Sequence, residues 1–228
     1  MQLPKLIIIL GYVWSFLFLP LVWISTRKDP IGNAIIGMAI GLMIMWMGIG
    51  AGIQRLLREK FRPIDTAIVR KFAIGAIILA LIEEAITTMM TNLAEPLWNV
   101  SPNDAHITAS TNYLEVILLH SVIVFVPMYI TWGILLRKYK FHHLWVYVLF
   151  GITGTLAETL SFGPSNLINI GFWLNIYGLT VYLPSYLIRD EGRLDPPMWL
   201  YLVAILLPLF AAIPIAILVL LVRSILGI

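Results

Sequence analysis

The chain of 228 residues contains no cysteine, which excludes disulfides, thiolate metal ligands and a cysteine nucleophile. Charge is also scarce: 12% of residues are charged and 60% are hydrophobic, against about a quarter charged in an ordinary soluble domain. No polar stretch long enough to be a soluble domain separates the apolar runs. Those runs are about 20 residues long, the length that crosses roughly 30 Å of hydrocarbon. A single all-α, membrane-embedded domain over residues 1–228 is expected, built as a polytopic bundle of about seven transmembrane helices.

The spans read as 6–26, 31–53, 72–93, 113–136, 144–163, 167–188 and 198–223. The first follows only Lys5 and shows no small-residue cleavage site before Arg27, so it reads as a transmembrane helix rather than a signal peptide. The net charge of +3 would suit an acidic partner if it were gathered in one patch. It is instead partitioned between loops. Lys5 and the connections 54–71, 137–143 and 189–197 hold 12 of the 15 basic residues, leaving Arg27, Lys28 and Arg223 on the other side. The positive-inside rule then predicts a cytoplasmic N-terminus and an outer C-terminus. Nucleic acid is not an expected partner; membrane lipid is. The segment Gln54–Lys71 mixes basic residues with Leu56, Leu57, Phe61, Ile64 and Ile68, a composition that suits the surface of an anionic bilayer.

No internal repeat is visible, so the inverted symmetry of many transporters has no counterpart here. In the second span Gly37 and Gly41 have a GxxxG spacing, which predicts close helix packing. Pro20, Pro127, Pro184, Pro208 and Pro214 predict kinks that neighbouring helices must accommodate. The loop 94–112 lacks Lys and Arg and is expected on the outer face, as a plain connection or as a lid.

What the spans do contain is a set of ionisable residues. Glu83 and Glu84 sit side by side in the third span, and Glu84, Thr87, Thr88, Thr91 and Asn92 follow the i, i+3, i+4, i+7, i+8 spacing of one helical face. His120 in the fourth span and Glu158 in the fifth fall at a similar depth, between the middle of the membrane and its outer third. Asn169 opens the sixth. Ionisable groups in lipid cost several kcal/mol each and turn toward partners or water. Four of them on three successive helices predict one shared polar cavity.

Within such a cavity two adjacent carboxylates repel each other and are expected to hold a proton between them. One can take a proton from water, and a histidine can donate to an oxyanion. Thr87, Thr88, Thr91, Asn92 and Asn169 are candidates for positioning substrate or water. Glu115, His106, His142 and His143 are expected at the interface or in solvent. The same polar residues could also serve packing alone, by hydrogen-bonding between helices.

The pair Glu83-Glu84 followed by His120 in the next span resembles the CAAX-processing and bacteriocin-processing (CPBP) membrane endopeptidases, whose pattern is EExxxR, then FxxxH, then HxxxN. The resemblance implies Glu83 as the base that activates water, Glu84 as its partner and His120 as an oxyanion donor. It covers Glu83 to His120. Thr88 stands at the arginine position, Val116 at the phenylalanine position, and no HxxxN follows His120.

The expected function is therefore an intramembrane hydrolase, a glutamate-type endopeptidase without a cofactor or metal, acting on a membrane peptide or a lipidic substrate. Glu158 would complete its proton inventory. A proton- or cation-coupled transporter using the same carboxylates stays open, as do a carboxylate-histidine metal enzyme and a non-catalytic membrane subunit. The expected location is the cell membrane of a prokaryote.

Overall fold

In the computed structural model, which describes residues 2–227, the chain folds into helices joined by short connections. Helix α1 spans Gln2–Ser25. A turn follows in which the Asp29 side chain accepts from the Ile31 N–H at 3.2 Å and Pro30 occupies the first helical turn. Proline is suited to that position because its missing N–H would have no intrahelical partner. Helix α2, Pro30–Leu42, runs on through π-helical turns at Met43–Gly50 into α3, Ala51–Leu57. Then come α4 (Ile68–Asn92), α5 (Ala94–Trp98), α6 (Tyr113–Leu119), α7 (Val122–Lys138), α8 (His143–Phe162), a 3₁₀ segment at Pro164–Asn169, α9 (Ile170–Tyr186) and α10 (Met198–Leu226). Among the described residues the only β-type pairings are two isolated bridges.

Among the described residues six helices are long and apolar enough to cross a membrane, and a seventh crossing results if α6 and α7 count as one span bent by 45°. The protein is thus an all-α, multi-pass membrane bundle. Its exterior supports this, since Leu17, Leu21, Leu202 and Phe210 all point outward without a protein partner face; such a surface needs lipid rather than water around it.

Helix adjacency defines two rings. Helices α4, α7, α10, α8 and α9 close one, around a core in which Phe125 packs on Tyr177 and Tyr129 on Phe150, each pair with ring centroids 5.2 Å apart. Helices α1, α2, α4 and α9 close a second, smaller ring. The two share the α4 and α9 pair. Helices α8 and α9 approach closely because Gly151 faces the Leu174 backbone and Gly154 faces the Tyr177 side chain; without a Cβ, glycine lets the backbones meet. In α2, Gly37 receives the Trp98 ring and Gly41 the Met90 side chain, so the GxxxG pair seats α5 and α4 on α2.

One face of the bundle is held by short backbone clamps. The Ile64 N–H donates to the Leu187 carbonyl at 2.6 Å, and the Lys140 N–H to the Leu194 carbonyl at 2.8 Å. Arg193 donates through Nη1 to the carbonyls of Leu136 and Tyr139, both at 3.1 Å, and through Nη2 to Asp190 at 2.6 Å. It thereby covers carbonyls that the C-terminal end of α7 leaves unpaired. Ile64 is buried, so the basic connection between α3 and α4 is tied to the bundle rather than lying free.

Two expectations need correction. The fourth span is not one helix over 113–136: it breaks at His120 and Ser121, where His120 has φ −146° and ψ −84°. The Ser121 N–H reaches back to the Val116 carbonyl at 2.9 Å, and the Ser121 hydroxyl donates to the same oxygen at 3.2 Å, so Ser121 caps the end of α6. The third span begins at Ile68 rather than 72. The five predicted kink prolines all lie inside helices that continue past them.

Candidate functional site

The two rings open into one cavity of about 400 Å³ at the end of the bundle away from the basic clamps. Glu83, Glu84, His120 and Glu158 all line it. Each arrives by a different device. The glutamate pair projects from the C-terminal half of α4. His120 sits at the break between α6 and α7, non-helical backbone at membrane depth being tolerated where it borders a cavity. Glu158 comes from the last turns of α8, with Ser161 one turn beyond it on the same wall.

Glu83 is the most buried of the four, at 6% exposure. The Thr87 hydroxyl donates to its Oε1 at 2.8 Å, one helical turn away, and also contacts the Glu83 carbonyl oxygen at 3.0 Å. Oε1 is thus fixed, while Oε2 has no hydrogen-bond partner among the described residues. Glu84, half-buried, has Ser121 as its side-chain neighbour across the break. The Tyr177 hydroxyl of α9 donates to Glu158 Oε1, which links the two walls of the larger ring. The His120 ring lies 6.2 Å from that of Phe162. His120 also lines a second, smaller pocket with Ser110, Glu115, Leu119 and Arg223. In that pocket Ser110 donates to Glu115 at 2.6 Å, so Glu115 belongs to the adjoining pocket rather than to the main cavity.

The polar stripe on α4 divides. Thr87 lines the cavity, as does Asn169 together with Asn166. Thr88, Thr91 and Asn92 do not. Thr91 Oγ1 accepts from the Ile107 N–H at 3.4 Å, and Asn92 Nδ2 donates to the Thr111 carbonyl at 3.0 Å, so these two hold the loop 94–112. Thr88 is buried with no partner for its hydroxyl. The reason is positional: beyond Thr87 the helix passes out of the cavity and under the loop. That loop is packed, with Val100 and Ala105 buried against Met38 and Met90. Its residues His106, Ile107, Thr108 and Ala109 form part of the cavity wall. His106 is exposed on its outer side yet borders the site. Tyr177 and Ser121 were not marked by the sequence pattern; a tyrosine at the depth of a buried glutamate was the available signal for the first.

Among the described residues no three His, Asp or Glu side chains come close enough together to hold one metal ion. No lysine or arginine among the described residues lines the main cavity. The remaining wall is apolar: Leu19 of α1, Ile35, Ile36, Ala39 and Leu42 of α2, and Phe125, Phe172 and Trp173. Chemically the arrangement offers a carboxylate with one free oxygen, a second carboxylate beside it, a histidine and a tyrosine-bound glutamate, all around space for water and a substrate.

No family model, curated protein or solved structure matches the chain.

Proposed function

We propose that the protein is an intramembrane hydrolase of glutamate type, acting on a carbonyl substrate within the outer half of the bilayer. The observation that carries this reading is the convergence of Glu83, Glu84 and His120, from α4 and the α6–α7 break, on one cavity. These are also the residues that resemble the first two motif elements of the CPBP endopeptidases. In the reaction, Glu83 Oε2 takes a proton from a cavity water as the water oxygen bonds to the carbonyl carbon. The Thr87 hydroxyl holds the other carboxylate oxygen in place. The oxyanion accepts from the His120 imidazole N–H, and the proton held by Glu83 passes to the leaving group as its bond to carbon breaks. Glu84 and Glu158 supply neighbouring carboxyl groups that pass the proton of the product acid to solvent. The basic face is cytoplasmic in this reading, by the positive-inside rule, and the membrane is the cell membrane of a prokaryote.

A proton- or cation-coupled carrier draws on a different observation: three glutamates share the cavity and no lysine or arginine lines it. The two readings separate in one preparation. Purified protein in liposomes is given a panel of fluorogenic peptides and acyl esters, and separately a proton gradient with a pH dye inside. A hydrolase gives product that falls at least about 100-fold in Glu83→Gln and in His120→Ala, with folding retained. Proton uptake lost in Glu83→Gln, with no product from any carbonyl substrate, would replace the hydrolase by the carrier.

A further inference from the structure

The cavity has two unlike halves, and the helix rings explain why. Its polar half lies in the larger ring, where Glu83, Glu84, His120 and Glu158 stand with Ser161. Its apolar half lies in the smaller ring, against Leu19, Ile35, Ile36, Ala39 and Leu42. The halves communicate across the outer ends of α4 and α9, the two helices that both rings share. A soluble peptide would leave the second half wet and apolar, an unfavourable state for any site built in lipid.

We infer that the occupant is a single-chain amphiphile with a neutral or cationic, hydrogen-bond-donating head: the chain lies along α1 and α2, and the head is held by the glutamates of α4 and α8. Three features select it. A volume of about 400 Å³ is at the small end of ligand cavities, roughly 300–1,000 Å³, and suits one alkyl chain rather than a two-chain phospholipid. The head compartment presents acceptors: Glu83 is nine-tenths buried with Oε2 unpartnered, and Glu84 and Glu158 are beside it. The main cavity sets three glutamates against two histidines, His106 and His120, with no lysine or arginine among the described residues of its lining, so a phosphate or carboxylate head would meet more like than opposite charge there. Arg223 lies in the adjoining rim pocket, not on this wall. The inference rests on the reading of this cavity as the substrate site and adds to it the class of molecule bound.

The test is a binding measurement that needs no turnover. The full chain is placed in nanodiscs of zwitterionic lipid, and chain-brominated dodecylamine, dodecanol and dodecyl phosphate are titrated against tryptophan fluorescence. The signal is the saturable quenching that disappears in Trp173→Phe, since Trp173 lines the cavity. The amine and the alcohol are expected to bind at least about tenfold more tightly than the phosphate, or about 1.4 kcal/mol. Changing Glu83, Glu84 and Glu158 together to Gln should shrink the amine preference. Ile36→Phe, and independently Ala39→Leu, should weaken all three probes by occupying the chain compartment. Equal or tighter binding of the phosphate overturns the head assignment. Unchanged affinity in a folded Ile36→Phe or Ala39→Leu protein overturns the chain assignment. Binding in the expected order, with no dodecyl ester or amide hydrolysed, would remove the hydrolase and leave this inference standing. Hydrolysis of soluble peptides by a protein that binds none of the probes would do the reverse.

Discussion

The hydrogen bond between Thr87 and Glu83 gives the sharpest energetic prediction. Both side chains are buried, at 5% and 6% exposure, and the donor lies 2.8 Å from Oε1. Thr87→Val keeps the shape and removes the donor. A hydrogen bond to a charged group contributes about 1.5–3 kcal/mol and a neutral one about 0.5–1.5, so Thr87→Val should destabilise the protein within those limits. Glu83→Gln should behave differently. It preserves an acceptor for Thr87 while removing an ionisable group whose placement in a span costs several kcal/mol, so the melting temperature should hold or rise. Because the amide oxygen of Glu83→Gln still accepts from Thr87, the double variant should show a coupling of about 1 kcal/mol, the difference between a charged and a neutral hydrogen bond. Unfolding of the purified protein in a mild detergent, followed by tryptophan fluorescence, reads all four corners of the cycle. A fall of several degrees in Glu83→Gln alone would show that Glu83 serves to hold the fold together, and its retention for chemistry would be refuted.

Gly151→Ala should cost about 1–3 kcal/mol as an overpacked helix contact, because the added carbon would come within 3.0 Å of Leu174 Cα. Gly52→Ala, with nothing within 4 Å of its added carbon, should be neutral or stabilising, and thermal melts of the two decide it. His142 caps α8 by accepting from the Leu144 N–H through Nδ1 at 3.2 Å, and partial burial holds its pKa below the ordinary histidine value. A depressed histidine pKa means that the unfolded chain binds the proton more readily, so the contribution to stability is complete above about pH 6.5 and is lost as pH falls toward the folded-state pKa. It should amount to about 1 kcal/mol or less, as a helix cap. Titration of stability from pH 7.5 downward should show a loss that His142→Asn removes, whereas an unchanged slope in that variant would assign the loss to the stacked His143. Asn92→Leu should release the loop 94–112 from α4 and raise amide exchange across Thr108–Thr111, while exchange in α9 stays as it was.

The ionisable residues were legible in the sequence because their cost in lipid makes them conspicuous, and depth along each span was enough to place Glu83, Glu84, His120 and Glu158 together. The helical spacing on α4 was less informative. It shows which residues share a face, not what that face meets, and the partners of Thr91 and Asn92 lie 16 and 19 residues away in a loop with no regular pattern. The break at His120 left no proline or glycine at the site to mark it. Tyr177 was hidden among the aromatic residues of the sixth span, where its hydroxyl matters only because α8 and α9 meet at Gly154. The apolar half of the cavity could not be read at all, since Leu19 and Ile36 look like every other lipid-facing residue until α1 and α2 are folded against α4.

The absence of native cysteine makes the central claim directly measurable. Single cysteines at Ser121, Ala157 and Thr88 report on two walls of the cavity and on a buried position outside it. A membrane-impermeant thiol reagent, applied to vesicles from the face opposite the basic loops, should label Ser121→Cys and Ala157→Cys and leave Thr88→Cys unmodified. Protection of the first two, with labelling of the third, would mean that the glutamates and His120 do not share a water-filled site open to that face.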